Sequence, residues 1–218
     1  MYTHEKQYIQ AGKLAAHANK AVVLLHGRGS TAPGILTLAR NLEVDDAFLL
    51  APQATRNSWY PYSFLAPEAD NQPALNSAID CVDGAIAEIT RLGIAPEATY
   101  FVGFSQGACL ALEYVARYAQ RYGGVVVFTG GLVGETIDSD KYSGDFNGTP
   151  ILITSGDEDP HVPLHRVEES AAVLRTLGAT VTVEVYPGKP HSISPDETLL
   201  ANKVIFNGTQ TPISGVRL

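Results

Sequence analysis

Gly103-Phe104-Ser105-Gln106-Gly107 is the stretch whose reading decides the fold. It follows the apolar run Thr99 to Val102 and precedes a helix-like segment, Gln106 to Tyr122. Strand, tight turn and helix is the context in which a G-x-S-x-G motif carries a nucleophilic serine. The serine backbone must take a strained turn with neighbours packed close, and a Cβ on either flanking residue would clash, so both are glycine. The turn pushes Oγ out at the carboxyl edge of a sheet. A plain βα turn with a capping serine is the simpler alternative, and the strand before and helix after speak against it.

Working outward, Ala21 to Leu25, Ala47 to Ala51, Thr99 to Gly103, Gly124 to Thr129, Ile151 to Thr154 and Thr180 to Val185 are short apolar runs. Continuous rather than alternating hydrophobicity marks strands covered on both faces in a parallel sheet. Between them lie helical candidates at Thr31 to Leu42, Asn71 to Leu92, Gln106 to Tyr122, Leu164 to Leu177 and Pro195 to Phe206, several stopped by Gly93, Gly123 or Gly178. Alternation of strands and helices implies βαβ crossovers. Gln7 to Ala16, broken at Ala11-Gly12, reads as a hairpin adding antiparallel edge strands. The expected fold is α/β: a mostly parallel twisted sheet, helices on both faces, an N-terminal antiparallel hairpin, and one domain over 1–218.

Composition bounds the partners. A chain of 218 residues, 45% hydrophobic and free of repeats or linkers, fits one core and one site. A formal net charge of -8 without a basic run repels phosphate backbones and anionic bilayers, so nucleic acid is not an expected partner. No window approaches the roughly 20 apolar residues of a membrane span, and no signal-peptide stretch follows Met1, so a soluble cytoplasmic protein is expected. Cys81 and Cys109, the two cysteines, each fall in a helical segment and read as buried free thiols rather than a disulfide or metal pair.

A serine hydroxyl is a weak nucleophile at neutral pH and needs a positioned base, oriented by an acid that follows the serine and precedes the base in this type of fold. His191 stands alone after the last apolar run, in Pro187-Gly188-Lys189-Pro190-His191-Ser192. His161 and His165 crowd the acidic cluster Asp157-Glu158-Asp159 and read as solvated or capping histidines. Asp157 and Asp159 both lie in the loop after Ile151 to Thr154, and either could accept the imidazole N–H. A developing oxyanion needs backbone N–H donors; one is that of Gln106, at a helix N-terminus, and the second falls in His26-Gly27-Arg28-Gly29. His26 itself reads as a brace for that loop. Ser58 to Leu65 is the densest aromatic cluster, and Trp59, Tyr60 and Phe64 are read as substrate-pocket wall or as packing for the loop, with Leu132 of Gly130-Gly131-Leu132-Val133 on the other side.

These blocks resemble the phospholipase/carboxylesterase family of small α/β-hydrolases, which includes acyl-protein thioesterases and bacterial carboxylesterases. Leu25 to Gly29, Gly103 to Gly107, Gly156 to Pro163 and His191-Ser192 stand in that family's order and approximate spacing, over nearly the whole chain. The resemblance implies Asp159, before Pro160-His161-Val162-Pro163, as the acid, and the N–H groups of Arg28 and Gln106 as oxyanion donors. It implies a serine carboxylesterase with Ser105, His191 and Asp159 as its triad, no cofactor or metal, a small-molecule ester as substrate, lysophospholipase or thioesterase activity as variants, and a homodimer as an assembly open to it. Arg28 departs from the leucine of the better studied thioesterases and would narrow the pocket or attract an acidic substrate. With Trp59-Tyr60-Pro61 it favours small esters over long acyl chains. The same triad would also serve a lactone or carbon-carbon bond hydrolase, and the fold also occurs in non-catalytic ligand-binding proteins, which lack a triad member. A metal site through His161, His165 and neighbouring acids is the remaining alternative.

Overall fold

In a computed structural model that describes residues 2–207, each apolar run is a strand. The strands β1 (Tyr8–Gly12), β2 (Lys20–Leu25), β3 (Ala47–Pro52), β4 (Thr99–Phe104), β5 (Gly124–Phe128), β6 (Pro150–Gly156) and β7 (Thr180–Tyr186) form one sheet in the order β1-β3-β2-β4-β5-β6-β7. The pairings from β3 through β7 are parallel, and only β1 with β3 is antiparallel.

The antiparallel element at the N-terminus is a single strand. Its partner is β3, with Tyr8 opposite Pro52 and Gly12 opposite Phe48, not a second arm of a hairpin over Gln7 to Ala16. Gly12 turns the chain at φ +73, where a Cβ would lie 2.5 Å from Ala47 O, and Ala15–His17 forms a short 3-10 turn leading straight into β2.

Among the described residues there are five α-helices: α1 (Ala32–Leu36), α2 (Ala74–Arg91), α3 (Gln106–Arg117) and α4 (Leu164–Thr176) lie between strands, and α5 (Pro195–Ala201) follows β7. The expected helix over Thr31 to Leu42 is one α-helical stretch, with Pro33 in its first turn, followed by a 3-10 turn, Thr37–Asn41. The helix expected to reach Tyr122 stops at Arg117, where Tyr118 leaves helical geometry at φ -123 and ψ 52. Past Ala201, α5 continues as a π-helical turn, Asn202–Phe206.

Side chains alternate across the pleat, so each strand feeds two cores. Val23, Leu25, Phe101, Val125 and Ile153 pack with residues of α2, α3 and α4. Val22, Leu24, Val102, Val126 and Leu152 pack with residues of α1 and α5 on the other face. Because β2 through β7 run parallel, the loops that leave their carboxyl ends gather at one edge, where open α/β sheets bind ligands.

Candidate active site

Ser105 sits between β4 and α3 at φ 54 and ψ -121, a backbone conformation uncommon for a residue with a Cβ and strained by about 1–3 kcal/mol. Its own N–H donates to Phe128 O at 3.0 Å, and its carbonyl accepts Cys109 N–H at 3.0 Å, so both ends of the turn are pinned. The motif's two glycines are a steric requirement. A Cβ on Gly103 would stand 2.5 Å from Gly107 O and 2.6 Å from Ala108 Cα, and one on Gly107 would run into the carbonyl of Leu25.

Three side chains named from the sequence lie in line. Ser105 Oγ is 2.8 Å from His191 Nε2, and His191 Nδ1 is 2.7 Å from Asp159 Oδ2. The other carboxylate oxygen of Asp159, Oδ1, accepts the N–H groups of His161 at 2.8 Å and Val162 at 3.0 Å. Burial pushes the Asp159 carboxyl up, but the His191 hydrogen bond and the two amides outweigh it and hold the group below its ordinary value. An ionised Asp159 fixes the proton of neutral His191 on Nδ1, which leaves Nε2 to accept from the Ser105 hydroxyl. The imidazole is packed between Phe104, at a ring separation of 5.3 Å, and His161, edge-on at 4.8 Å. His161 therefore touches the site from which its crowded position seemed to exclude it; its two-residue offset from Asp159 was the available signal.

Spacing alone left Asp157 and Asp159 level, and the loop separates them. Asp157 Oδ1 accepts Gly188 N–H at 2.7 Å, so it holds the backbone of the loop that carries His191.

The N–H groups of Arg28 and Gln106 donate no hydrogen bond among the described residues, whereas their neighbours Gly29 and Ser30 donate to Asn57 O and Gly27 O. Arg28 lies in the loop that leaves β2 and Gln106 is the first residue of α3, next to Ser105, where the helix dipole favours negative charge. Their side chains grip one segment. Gln106 Oε1 accepts Trp59 N–H at 2.9 Å and Gln106 Nε2 donates to Tyr60 O at 2.8 Å. Arg28 donates to Ser58 Oγ at 3.0 Å, Pro61 O at 2.9 Å and Tyr62 O at 2.5 Å, and no carboxylate stands within ion-pair distance of it among the described residues. His26 braces the same region: its Nδ1 pairs with Gly27 O at 2.8 Å, its Nε2 accepts Ala54 N–H at 3.1 Å, and its carbonyl accepts the Trp59 indole N–H at 2.8 Å.

The sequence profile of the phospholipase/carboxylesterase family matches residues 4–205. The chain belongs to that family. Its relatives include a probable carboxylesterase of Arabidopsis thaliana, SOBER1-like, which is 31% identical over 197 residues, 83% of this chain and 75% of the relative. Acyl-protein thioesterase 1 of Gibberella zeae is 25% identical over 206 residues, 84% of this chain and 88% of its own. The crystal structure of a phospholipase/carboxylesterase from Dyadobacter fermentans superposes with a TM-score of 0.93 at 53% identity, covering 94% of this chain and 99% of that one. The protein is a carboxylic ester hydrolase with the α/β-hydrolase fold.

In this phospholipase/carboxylesterase chain Trp59, Tyr60, Phe64 and Leu132 are all buried in the main core, and the solvent-facing ring of the aromatic segment is Tyr62, 59% exposed. A cavity of about 580 Å³ opens farther along the edge between Leu65, Ile137, His165, Arg166 and Glu169; Ser105, His191 and Asp159 do not line it. Among the described residues no three His, Cys, Asp or Glu side chains are grouped to hold a metal ion, with His161 against His191 and His165 at that cavity. Among the described residues no helix is long and apolar enough to cross a membrane. Cys81 in α2 and Cys109 in α3 are buried free thiols, and burial raises them to about 11 and about 12.

Proposed function

We propose that this enzyme hydrolyses small carboxylic esters through an acyl-enzyme formed on Ser105. Ser105 Oγ attacks the ester carbonyl as His191 Nε2 takes its proton, while Asp159 stays ionised and stabilises the imidazolium. The tetrahedral oxyanion is received by the N–H groups of Arg28 and Gln106. His191 then hands the proton to the departing alcohol. In the second half a water loses a proton to His191 and attacks the acyl carbonyl, and the proton returns to Ser105 as the acid leaves.

The observation that carries the reading is the unbroken chain from Ser105 Oγ to His191 Nε2 at 2.8 Å and from His191 Nδ1 to Asp159 Oδ2 at 2.7 Å. Preference for a small substrate rests on Arg28, whose arm tethers Ser58 to Tyr62 beside its own backbone N–H. Its place of work on this reading is the cytoplasm, a reducing setting that suits two free cysteines. Thioester hydrolysis is a second reading, favoured by the likeness to an acyl-protein thioesterase, and the same acyl-enzyme serves it.

A fluorophosphonate probe followed by mass spectrometry tests the proposal. The adduct is expected on Ser105, with labelling abolished in Ser105→Ala and strongly slowed in His191→Ala. An adduct elsewhere, or turnover of p-nitrophenyl acetate by Ser105→Ala, would refute it. Rates on ester and thioester series of rising acyl length then separate the two readings.

A further inference from the structure

The loop that carries His191 is tied down by a buried ion pair. Lys189 Nζ lies 2.9 Å from Glu197 Oε1, with the two side chains 7% and 0% exposed. Lys189 Nζ also donates to Ser192 O at 2.8 Å and to Thr129 Oγ1 at 3.4 Å. Glu197 is fully partnered in turn: Oε1 accepts the Thr154 hydroxyl and Oε2 accepts Ser194 N–H at 2.7 Å in the cap of α5. A buried ion pair adds little net stability, because desolvation of the two charges offsets their attraction. Its position in the fold is therefore the informative fact.

Lys189 precedes His191 by two residues, and Ser192 follows it. Thr129 follows Phe128, whose carbonyl accepts Ser105 N–H at 3.0 Å, and Thr129 N–H donates to Thr154 O at 2.8 Å. The nucleophile's backbone and the histidine's loop are thus fastened to adjacent residues at the end of β5. Thr129 holds this place at φ 58, in the left-handed region that β-branched residues rarely adopt. At the end of β6, a Cβ on Gly156 would strike the Lys189 carbonyl, so the strand and the loop are in close contact.

We infer that Lys189 and Glu197 are positioning residues: through Thr129 and Thr154 they hold the His191 imidazole in register with Ser105 Oγ. The inference rests on the triad reading above. Neither residue touches the reacting atoms; what they set is the distance across which the proton moves, and a misplacement of about 1 Å there can cost about 100-fold in rate.

The test is the double variant Lys189→Met with Glu197→Gln, which removes both charges at similar size and leaves no unpaired buried ion. The melting temperature is expected to stay within about 4 °C of wild type, while kcat on p-nitrophenyl acetate falls about 100-fold with KM nearly unchanged. The low-field Nδ1–H proton of His191 in the NMR spectrum should shift or broaden. A folded double variant with kcat within about twofold of wild type and an unaltered Nδ1–H signal would overturn the inference. If the double variant does not fold, Thr129→Val decides: it removes the hydroxyl to which Lys189 donates while keeping the β-branched shape, and should lower kcat without moving KM. Unchanged kcat in Thr129→Val would then overturn it. Ser105→Ala, assayed alongside, separates the two proposals, since activity surviving in that variant would sink the triad reading itself.

Discussion

Asp157 and Asp159 stand two residues apart and hold two points of one loop, Asp159 Oδ2 the His191 ring at 2.7 Å and Asp157 Oδ1 the Gly188 amide at 2.7 Å. On the proposed mechanism one aspartate orients the base, and the other holds the backbone of the loop that carries it.

Substitutions at the two positions should therefore differ in kind. Asp159→Asn removes the charge that selects the tautomer, and kcat is expected to fall about 10⁴-fold. Asp157→Ala removes one hydrogen bond to an exposed loop and should lower kcat by about tenfold or less. Steady-state hydrolysis of p-nitrophenyl acetate reads both, and equal losses would contradict the division of roles.

Acid should loosen the segment from Gln53 to Trp59. His4 Nδ1 accepts Thr55 N–H at 3.1 Å and His26 Nε2 accepts Ala54 N–H at 3.1 Å, so both rings act as unprotonated acceptors. Burial lowers both from 6.5, with the bonds to Trp59 O and Gly27 O only partly offsetting it. The unfolded chain then binds more protons than the folded one. The stability these neutral rings contribute is full above pH 6.5 and is lost as pH falls through their lower folded values. Thermal unfolding followed from pH 7.5 to 5 is expected to show a falling midpoint, less steep in His4→Gln; the same slope in that variant would count against it.

On the proposed mechanism Gln106 has two separable tasks: its N–H would donate to the oxyanion, and its side chain satisfies two buried backbone groups, Trp59 N–H and Tyr60 O. Gln106→Ala should destabilise the fold by about 2–4 kcal/mol, the penalty of two unsatisfied groups. Urea unfolding measures it, and a loss under about 0.5 kcal/mol would mean the clamp is dispensable.

Arg28 reaches three oxygens through its two terminal nitrogens, a fork that a lysine cannot reproduce. If the clamp is what matters, Arg28→Lys and Arg28→Met should both lose up to about tenfold in kcat/KM, on a neutral and a negatively charged nitrophenyl ester alike. A loss confined to the charged ester and spared in Arg28→Lys would instead assign the residue to substrate charge.

At Gly107 a methyl group has no space against the Leu25 carbonyl and would lie 2.6 Å from His26 O. Gly107→Ala should cost about 3 kcal/mol or more. Yield of folded protein and its denaturation midpoint check this, and a variant as stable as wild type would refute the steric account of the motif.

How far the molecule is legible in one dimension depends on the range of each interaction. The strands, the turn at Ser105 and the isolation of His191 are written in near neighbours: apolar runs, flanking glycines and a Pro-Gly loop bias the backbone within a few residues of themselves. Those features, with the order of serine, acid and histidine, determined the fold class and the nucleophile and base proposed for it. What depended on the packed sheet was of another kind. Tyr8 to Gly12 carries no mark that its partner is β3, because that pairing follows from an edge left open by the rest of the sheet. Trp59 and Tyr60 look like pocket residues in an aromatic-rich loop, yet Gln106 and His26 draw the segment inward and bury them. Lys189 looks like a surface lysine until β5, β6 and α5 converge to enclose it with Glu197. The choice between Asp157 and Asp159 needed either a family pattern or coordinates, since two carboxylates in one loop share composition and spacing. Local conformation is set by the residue and its neighbours, whereas burial and long-range partners are set by which elements the whole core brings together.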